Sequence, residues 1–267
     1  MDYLLRTTKS PQDSLEKAIE LVQKAVALDD GHGTTHGMLG MLYADKRDYA
    51  KALAEGERAI ALDPGGAETH VCYGKILTYA GRPQEAIPMF QKAIRLNPSG
   101  HADYYGQFGQ ALRMTGRFEE AVSASKKALQ LAPDSIWANF HLGLTYLYAG
   151  RVEEAIPFCQ KAIELSPSGP FYFYSVFGTV LRITGRFEEA VSAYKKALQL
   201  APDDISTHIG LATTYIMMGR QKEARAEGAE ILRVDPNFTI ERFIKGAPGN
   251  QSYKDRVADA LRKAGLK

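Results

Sequence analysis

Six prolines recur at an almost constant interval. Pro64, Pro98, Pro133, Pro167, Pro202 and Pro236 are separated by 34, 35, 34, 35 and 34 residues. Similar phrases lead into them: Ala-Ile-Ala-Leu-Asp before Pro64, and Ala-Leu-Gln-Leu-Ala before both Pro133 and Pro202. A fixed period of this size means stacked supersecondary units rather than a closed globule, because each unit buries its apolar face only against its neighbours.

Each period reads as helix, turn, helix. In residues 102–135, Tyr105, Phe108, Gly109 and Leu112 recur at helical spacing. Thr115-Gly116-Arg117 follows, then Ala121, Ser125 and Ala128 lead to Pro133. Apolar positions three and four apart give each helix one buried face. The turn glycine returns as Gly81, Gly116, Gly150, Gly185 and Gly219, as a left-handed helix C-cap requires. The arginines that follow, Arg82, Arg117, Arg151, Arg186 and Arg220, are expected to offset the negative end of the preceding helix.

This spacing resembles the tetratricopeptide repeat. With each unit's proline set at position 32, six units occupy 33–66, 67–101, 102–135, 136–170, 171–204 and 205–238. Position 20 is then always alanine: Ala52, Ala86, Ala121, Ala155, Ala190 and Ala224. Position 8 is glycine except at Ala212, and position 27 is alanine except at Ile231. The resemblance implies an all-α, right-handed superhelical solenoid of antiparallel helix pairs. Residues 1–32 form a truncated half repeat, with a short helix over 2–7, and 239–267 form capping helices after a break at 246–249. Three features depart from the family pattern. Position 4, where a large aromatic is expected, holds His36, His70, Tyr105, Asn139, Tyr174 and His208. Arg47 replaces the turn glycine of the first unit. Gly56 and Gly228 replace the bulky residue at position 24, making the end units look less ideal.

A longer period overlays the first. The segment Thr115–Asp134 returns at Thr184–Asp203 with one change, Ser125 to Tyr194. The alternate units carry a proline inside the second helix, Pro88 or Pro157, expected to kink or loosen it. Alternating units, the opening Asp2-Tyr3-Leu4-Leu5-Arg6 and the ending around Glu230–Phe238 are similar to the C-terminal repeat region of bacterial class III adenylate/guanylate cyclases and to stand-alone repeat proteins. That resemblance implies a regulatory or partner-binding module of a signalling protein. It implies no cyclase activity, since repeats fill the chain.

Composition narrows the function. Lys and Arg number 33 against 31 Asp and Glu, a net charge of +2, which argues against a nucleic-acid binder working through bulk positive charge. Position 5, the base-selecting site of one-base-per-repeat RNA readers, holds Gly37, Val71, Gly106, Phe140, Ser175 and Ile209, most of which cannot hydrogen-bond a base. No stretch reaches the roughly 20 apolar residues of a membrane span, and the first residues do not read as a signal peptide. Cys72 and Cys159 are too far apart in sequence for a disulfide framework, which fits a reducing compartment and a cytoplasmic protein. No phosphate loop, nucleophile elbow or zinc-protease motif occurs, so no catalytic residue and no cofactor are expected. His32 and His36 lack an evident third ligand. The histidines at position 4 are therefore read as buried packing residues and no metal is expected.

What remains is binding. By resemblance, positions 2, 5, 9 and 12 line a concave groove. The fourth unit supplies Trp137, Phe140 and Leu144 there, and the fifth supplies Tyr172 and Arg182. Lys75, Arg113 and Arg182 are expected as a basic rim around an apolar centre, suited to a peptide with aromatic or acidic side chains. The carboxylate clamp of chaperone-binding relatives is missing: Gly37, Met41, Asp103 and Gln107 stand at its positions. The expected function is a non-enzymatic protein-interaction module. The alternative is a self-assembling scaffold, a homo-oligomer joined through the aromatic run Phe171–Tyr174 or an end repeat.

Overall fold

The computed structural model describes residues 11–98, 101–246 and 251–267. Among these residues it contains fifteen α-helices and no strand. The short helix expected at 2–7 and most of the 246–249 break lie outside the described residues. The chain divides into two compact units, residues 1–132 and 133–267. In the first, α1 (Pro11–Leu28) precedes three helix pairs. These are α2 (Gly33–Asp45) with α3 (Tyr49–Leu62), α4 (Ala67–Tyr79) with α5 (Pro83–Leu96), and α6 (Ala102–Met114) with α7 (Phe118–Leu131). In the second, α8 (Ile136–Tyr148) pairs with α9 (Val152–Leu165), α10 (Phe171–Ile183) with α11 (Phe187–Leu200), and α12 (Ile205–Met217) with α13 (Gln221–Val234). Two further helices, α14 (Ile240–Gly246) and α15 (Gln251–Lys263), end it.

The pairs are held by small residues and by one repeated turn. All six alanines at position 20 are fully buried, so the two backbones of each pair close onto a methyl group. The turn glycines have φ of 73–78°. The residue after each one sends its N–H back to the helix, as in Arg117 N to Leu112 O at 2.9 Å and Arg186 N to Leu181 O at 2.9 Å. This closes the helix end with a left-handed residue. Arg47 takes the same conformation, φ 63°, without being glycine.

The arginines after these glycines do something other than offset the preceding helix. Each forms an ion pair with the glutamate three residues on, at the start of the second helix: Arg117 with Glu120 at 2.6 Å, Arg151 with Glu154 at 2.6 Å, Arg186 with Glu189 at 2.6 Å. In the first pair the charges are exchanged, Asp48 with Lys51 at 3.1 Å. These exposed pairs contribute little to stability and mainly fix the entry of the second helix. Helices α5 and α9 run unbroken through Pro88 and Pro157, whose rings face solvent.

Position 4 is selected for a hydrogen-bond donor, not for size. His70 Nε2 meets the carbonyl of Pro64 at 3.0 Å, and His208 Nε2 that of Pro202 at 2.8 Å. Tyr105 and Tyr174 hydroxyls donate to Pro98 and Pro167, and the Asn139 amide to Pro133 at 3.0 Å. The repeating proline fixes the backbone, and the next helix satisfies its carbonyl. His36 and His208 are buried and also reach a carboxylate, Glu55 and Glu227, each at 2.6 Å from Nδ1. A ring nitrogen facing a carbonyl or carboxylate is best matched when it carries a proton, so these contacts favour the doubly protonated ring. For His208 the Glu227 bond raises the pKa against burial. For His36, burial alone would lower it, but the bonds to Glu55 and Asp30 raise it.

The glycines at position 24 are not imperfections. A Cβ on Gly56 would stand 2.4 Å from the Tyr73 ring, and one on Gly228 would stand 2.5 Å from the Ala264 carbonyl. The first admits the next repeat and the second admits the chain just beyond α15.

Candidate functional site

An exposed aromatic platform stands on α8 and α10, within the second unit. Ser135 caps α8, its hydroxyl accepting from Ala138 N at 3.2 Å, which sets Trp137 in the first helical turn. Trp137, Phe140 and His141 are three and four residues apart and share one face. Tyr172 and Phe173 meet that face from α10. Phe140 and Phe173 stack at 4.4 Å between centroids. Both are buried, over Ala162 and beside Ile136, Leu144 and Ile163. Tyr172 lies 5.5 Å from Phe140 and 5.3 Å edge-on to Phe173. Trp137 rests edge-on to Phe173 at 5.5 Å and tilted over His141 at 6.1 Å. Its side chain remains 50% exposed. A large ring half in solvent, on a rigid aromatic base, is what a binding anchor requires.

The seven residues expected in the groove separate in the structure. Trp137, Tyr172 and Leu144 do present surface, Leu144 and Tyr172 being half-buried. Phe140 does not: it is 5% exposed and supports the platform from below. Arg182 is also not a surface cation. It is 6% exposed, donates from Nη2 to the Tyr253 hydroxyl at 3.1 Å, and sits 5.7 Å from that ring's centroid. Helix α15 packs on α12, and its Tyr253 reaches the end of α10. Lys75 and Arg113 belong to the first unit. Lys75 is half-buried and ion-paired with Asp103 at 2.5 Å, and Arg113 is half-buried. Of the three cations expected as a rim, Lys75 is thus ion-paired and Arg182 buried. Phe173 and His141 complete the platform and were missed from sequence. His141 was legible as the i+4 neighbour of Trp137, whereas Phe173 depends on the register between two helices.

Other candidate groups are structural. The Cys159 thiol is buried and its pKa is pushed up to about 12 by that burial, and burial also raises that of Cys72. A thiol so protonated is a poor nucleophile. Among the described residues, no three metal-ligating side chains cluster, and no helix is long and apolar enough to cross a membrane. In the aromatic run, Phe173 is buried and Phe171, Tyr172 and Tyr174 are half-buried.

Antiparallel helix pairs with a repeating small-residue seam and an exposed aromatic face define a helical-repeat interaction protein. The chain belongs to the tetratricopeptide repeat family, which matches residues 12–67, 67–134, 134–202 and 181–241. Among solved structures, the APC/C hetero-tetramer Cut9–Hcn1 is similar with a TM-score of 0.78 at 17% identity. That likeness covers 94% of this chain but 46% of the other, so the chain spans about half its length. PilF of Pseudomonas aeruginosa is similar with a TM-score of 0.63 and 18% identity over 84% of this chain and 95% of its own. YrrB, described as a TPR protein with an unusual peptide-binding site, follows at 0.53 and 20% over 68% and 93%. At such identities the likeness concerns the fold alone. Among curated proteins, none matches the sequence.

Proposed function

We propose that the chain is a non-enzymatic protein-interaction module that binds a peptide segment of a partner on the α8–α10 platform. Trp137 is the anchor, Tyr172 and Leu144 flank it, and Phe140 and Phe173 hold it in place. The observation that carries this reading is the half-exposed Trp137 on a buried stack of rings. Interaction by helical-repeat surfaces is the common use of the family, and YrrB is an example of a relative with a peptide-binding site. The resemblance to cyclase-attached repeats supports a regulatory role in a bacterial signalling protein, in the cytoplasm.

The test is binding of the full chain to an array of short peptides, repeated with Trp137→Ala and Tyr172→Ala. Loss of the bound set in both variants, with unchanged helical content by circular dichroism, supports the assignment. Peptides retained at equal affinity by both variants would remove the platform from the function.

A further inference from the structure

The first helices of the second unit lack charge. Each of α8, α10 and α12 has thirteen residues, and together they hold no Asp, Glu or Lys. Their one arginine, Arg182, is buried against Tyr253. Their two histidines are His141, tilted beside Trp137, and His208, buried and bonded to Glu227. The charges of the three repeats stand on α9, α11 and α13 and in the turns. The first helices of the first unit differ: α4 carries Glu68 and Lys75, and α6 carries Asp103 and Arg113. Leu144, Ser175 and Thr179 stand at groove positions of α8 and α10, and Arg182, the last such position of α10, is buried against Tyr253.

We infer that the segment bound by this platform is an uncharged apolar peptide, rich in proline, leucine or aromatic side chains, and not the acidic peptide a basic rim would favour. The inference rests on the platform being the binding site. A carboxylate or ammonium laid against these helices would lose hydration and meet no opposite charge from the three helices themselves. An apolar side chain or a proline ring loses nothing there and covers the exposed indole and phenol faces, the usual footing for proline-rich segments. Ser175 and Thr179 follow Tyr172 on α10 at positions 5 and 9 of the fifth repeat. Ser175 Oγ is already paired with Thr207 Oγ1 at 2.9 Å, and the Thr179 hydroxyl is engaged with Ser175 O and the Tyr194 hydroxyl. Both hydroxyls are thus engaged within the fold.

The experiment selects short peptides from a random displayed library on the full chain, discards those also retained by Trp137→Ala, and sequences the rest. The best are then titrated at low and high salt. The expected pool is depleted of Asp, Glu, Lys and Arg. Two glutamates introduced into a selected peptide should weaken it about tenfold or more, and salt should change its affinity less than about twofold. Trp137-dependent peptides that are acidic or basic, with affinity falling steeply in salt, would overturn the inference while leaving the platform as the site. A library that yields no Trp137-dependent peptide would remove the site and the inference with it. A concentration-dependent dimer that Trp137→Ala dissolves would assign the face to a second copy of the chain and also overturn the peptide.

Discussion

Replacing Tyr194 by serine would give the fifth repeat the residue its near-duplicate carries at Ser125, and the structure says what this should cost. Tyr194 is the largest of the fully buried side chains. Its ring fills the space above two glycines: a Cβ on Gly178 would stand 2.9 Å from Cδ1, and one on Gly210 would stand 2.6 Å from Cε1 and Cζ. Its hydroxyl pairs with Thr179 Oγ1 at 3.0 Å. Removing the ring should cost about 3–5 kcal/mol for the cavity. The hydroxyl adds about 1 kcal/mol at most, since Thr179 keeps its bond to the Ser175 carbonyl. Gly210→Ala alone should overpack the ring by about 1–3 kcal/mol, offset by about 1 kcal/mol of helix propensity. In the Tyr194→Ser background the clash is gone and the propensity gain remains, so the same Gly210→Ala should stabilise by about 1 kcal/mol. The coupling between the two sites is therefore about 1–3 kcal/mol. Urea unfolding of the four chains, followed by circular dichroism and by Trp137 fluorescence, measures it, provided that the two probes coincide. If Gly210→Ala costs the same in both backgrounds, the glycine does not serve the tyrosine and the packing argument fails.

Three further outcomes are expected. Arg47 holds φ 63° where the other turns use glycine, so Arg47→Gly should raise stability by about 1 kcal/mol; a lower thermal midpoint would contradict this. Asn139→Leu leaves the carbonyl of Pro133 without its donor and should cost about 1–3 kcal/mol, measured by chemical unfolding; a neutral change would mean that size alone matters at position 4. His208 is raised in pKa by Glu227. A group with a folded pKa above its unfolded value stabilises fully below the latter, about 6.5, and loses that contribution as pH rises through the folded value. The stability advantage of the native chain over His208→Gln should therefore be greatest under mildly acidic conditions and shrink above neutrality. An advantage independent of pH would show the ring to be neutral.

What could be read from sequence, and what could not, divides along a physical line. The helix pairs were legible because identical local problems recur: a helix must end, so glycine returns, and two backbones must close, so alanine returns at Ala86, Ala121 and Ala190. Position 4 was legible in principle too. Size was the wrong criterion, but a donor six or seven residues after each proline is a fixed local offset. The errors came where a side chain's neighbour lies outside the repeat rule. Position alone aims Phe140 at the groove, yet the rings of Tyr172 and Phe173 on α10 decide that it is covered. Arg182 was expected in solvent because its partner, Tyr253, stands 71 residues away in a helix the period does not describe. That single misplacement changes the chemistry assigned to the site. With Arg182 counted as free, the platform invites an acidic ligand. With it sealed beneath α15, three successive helices are left without an accessible formal charge of their own, and electrostatic attraction gives way to apolar contact as the means of recognition.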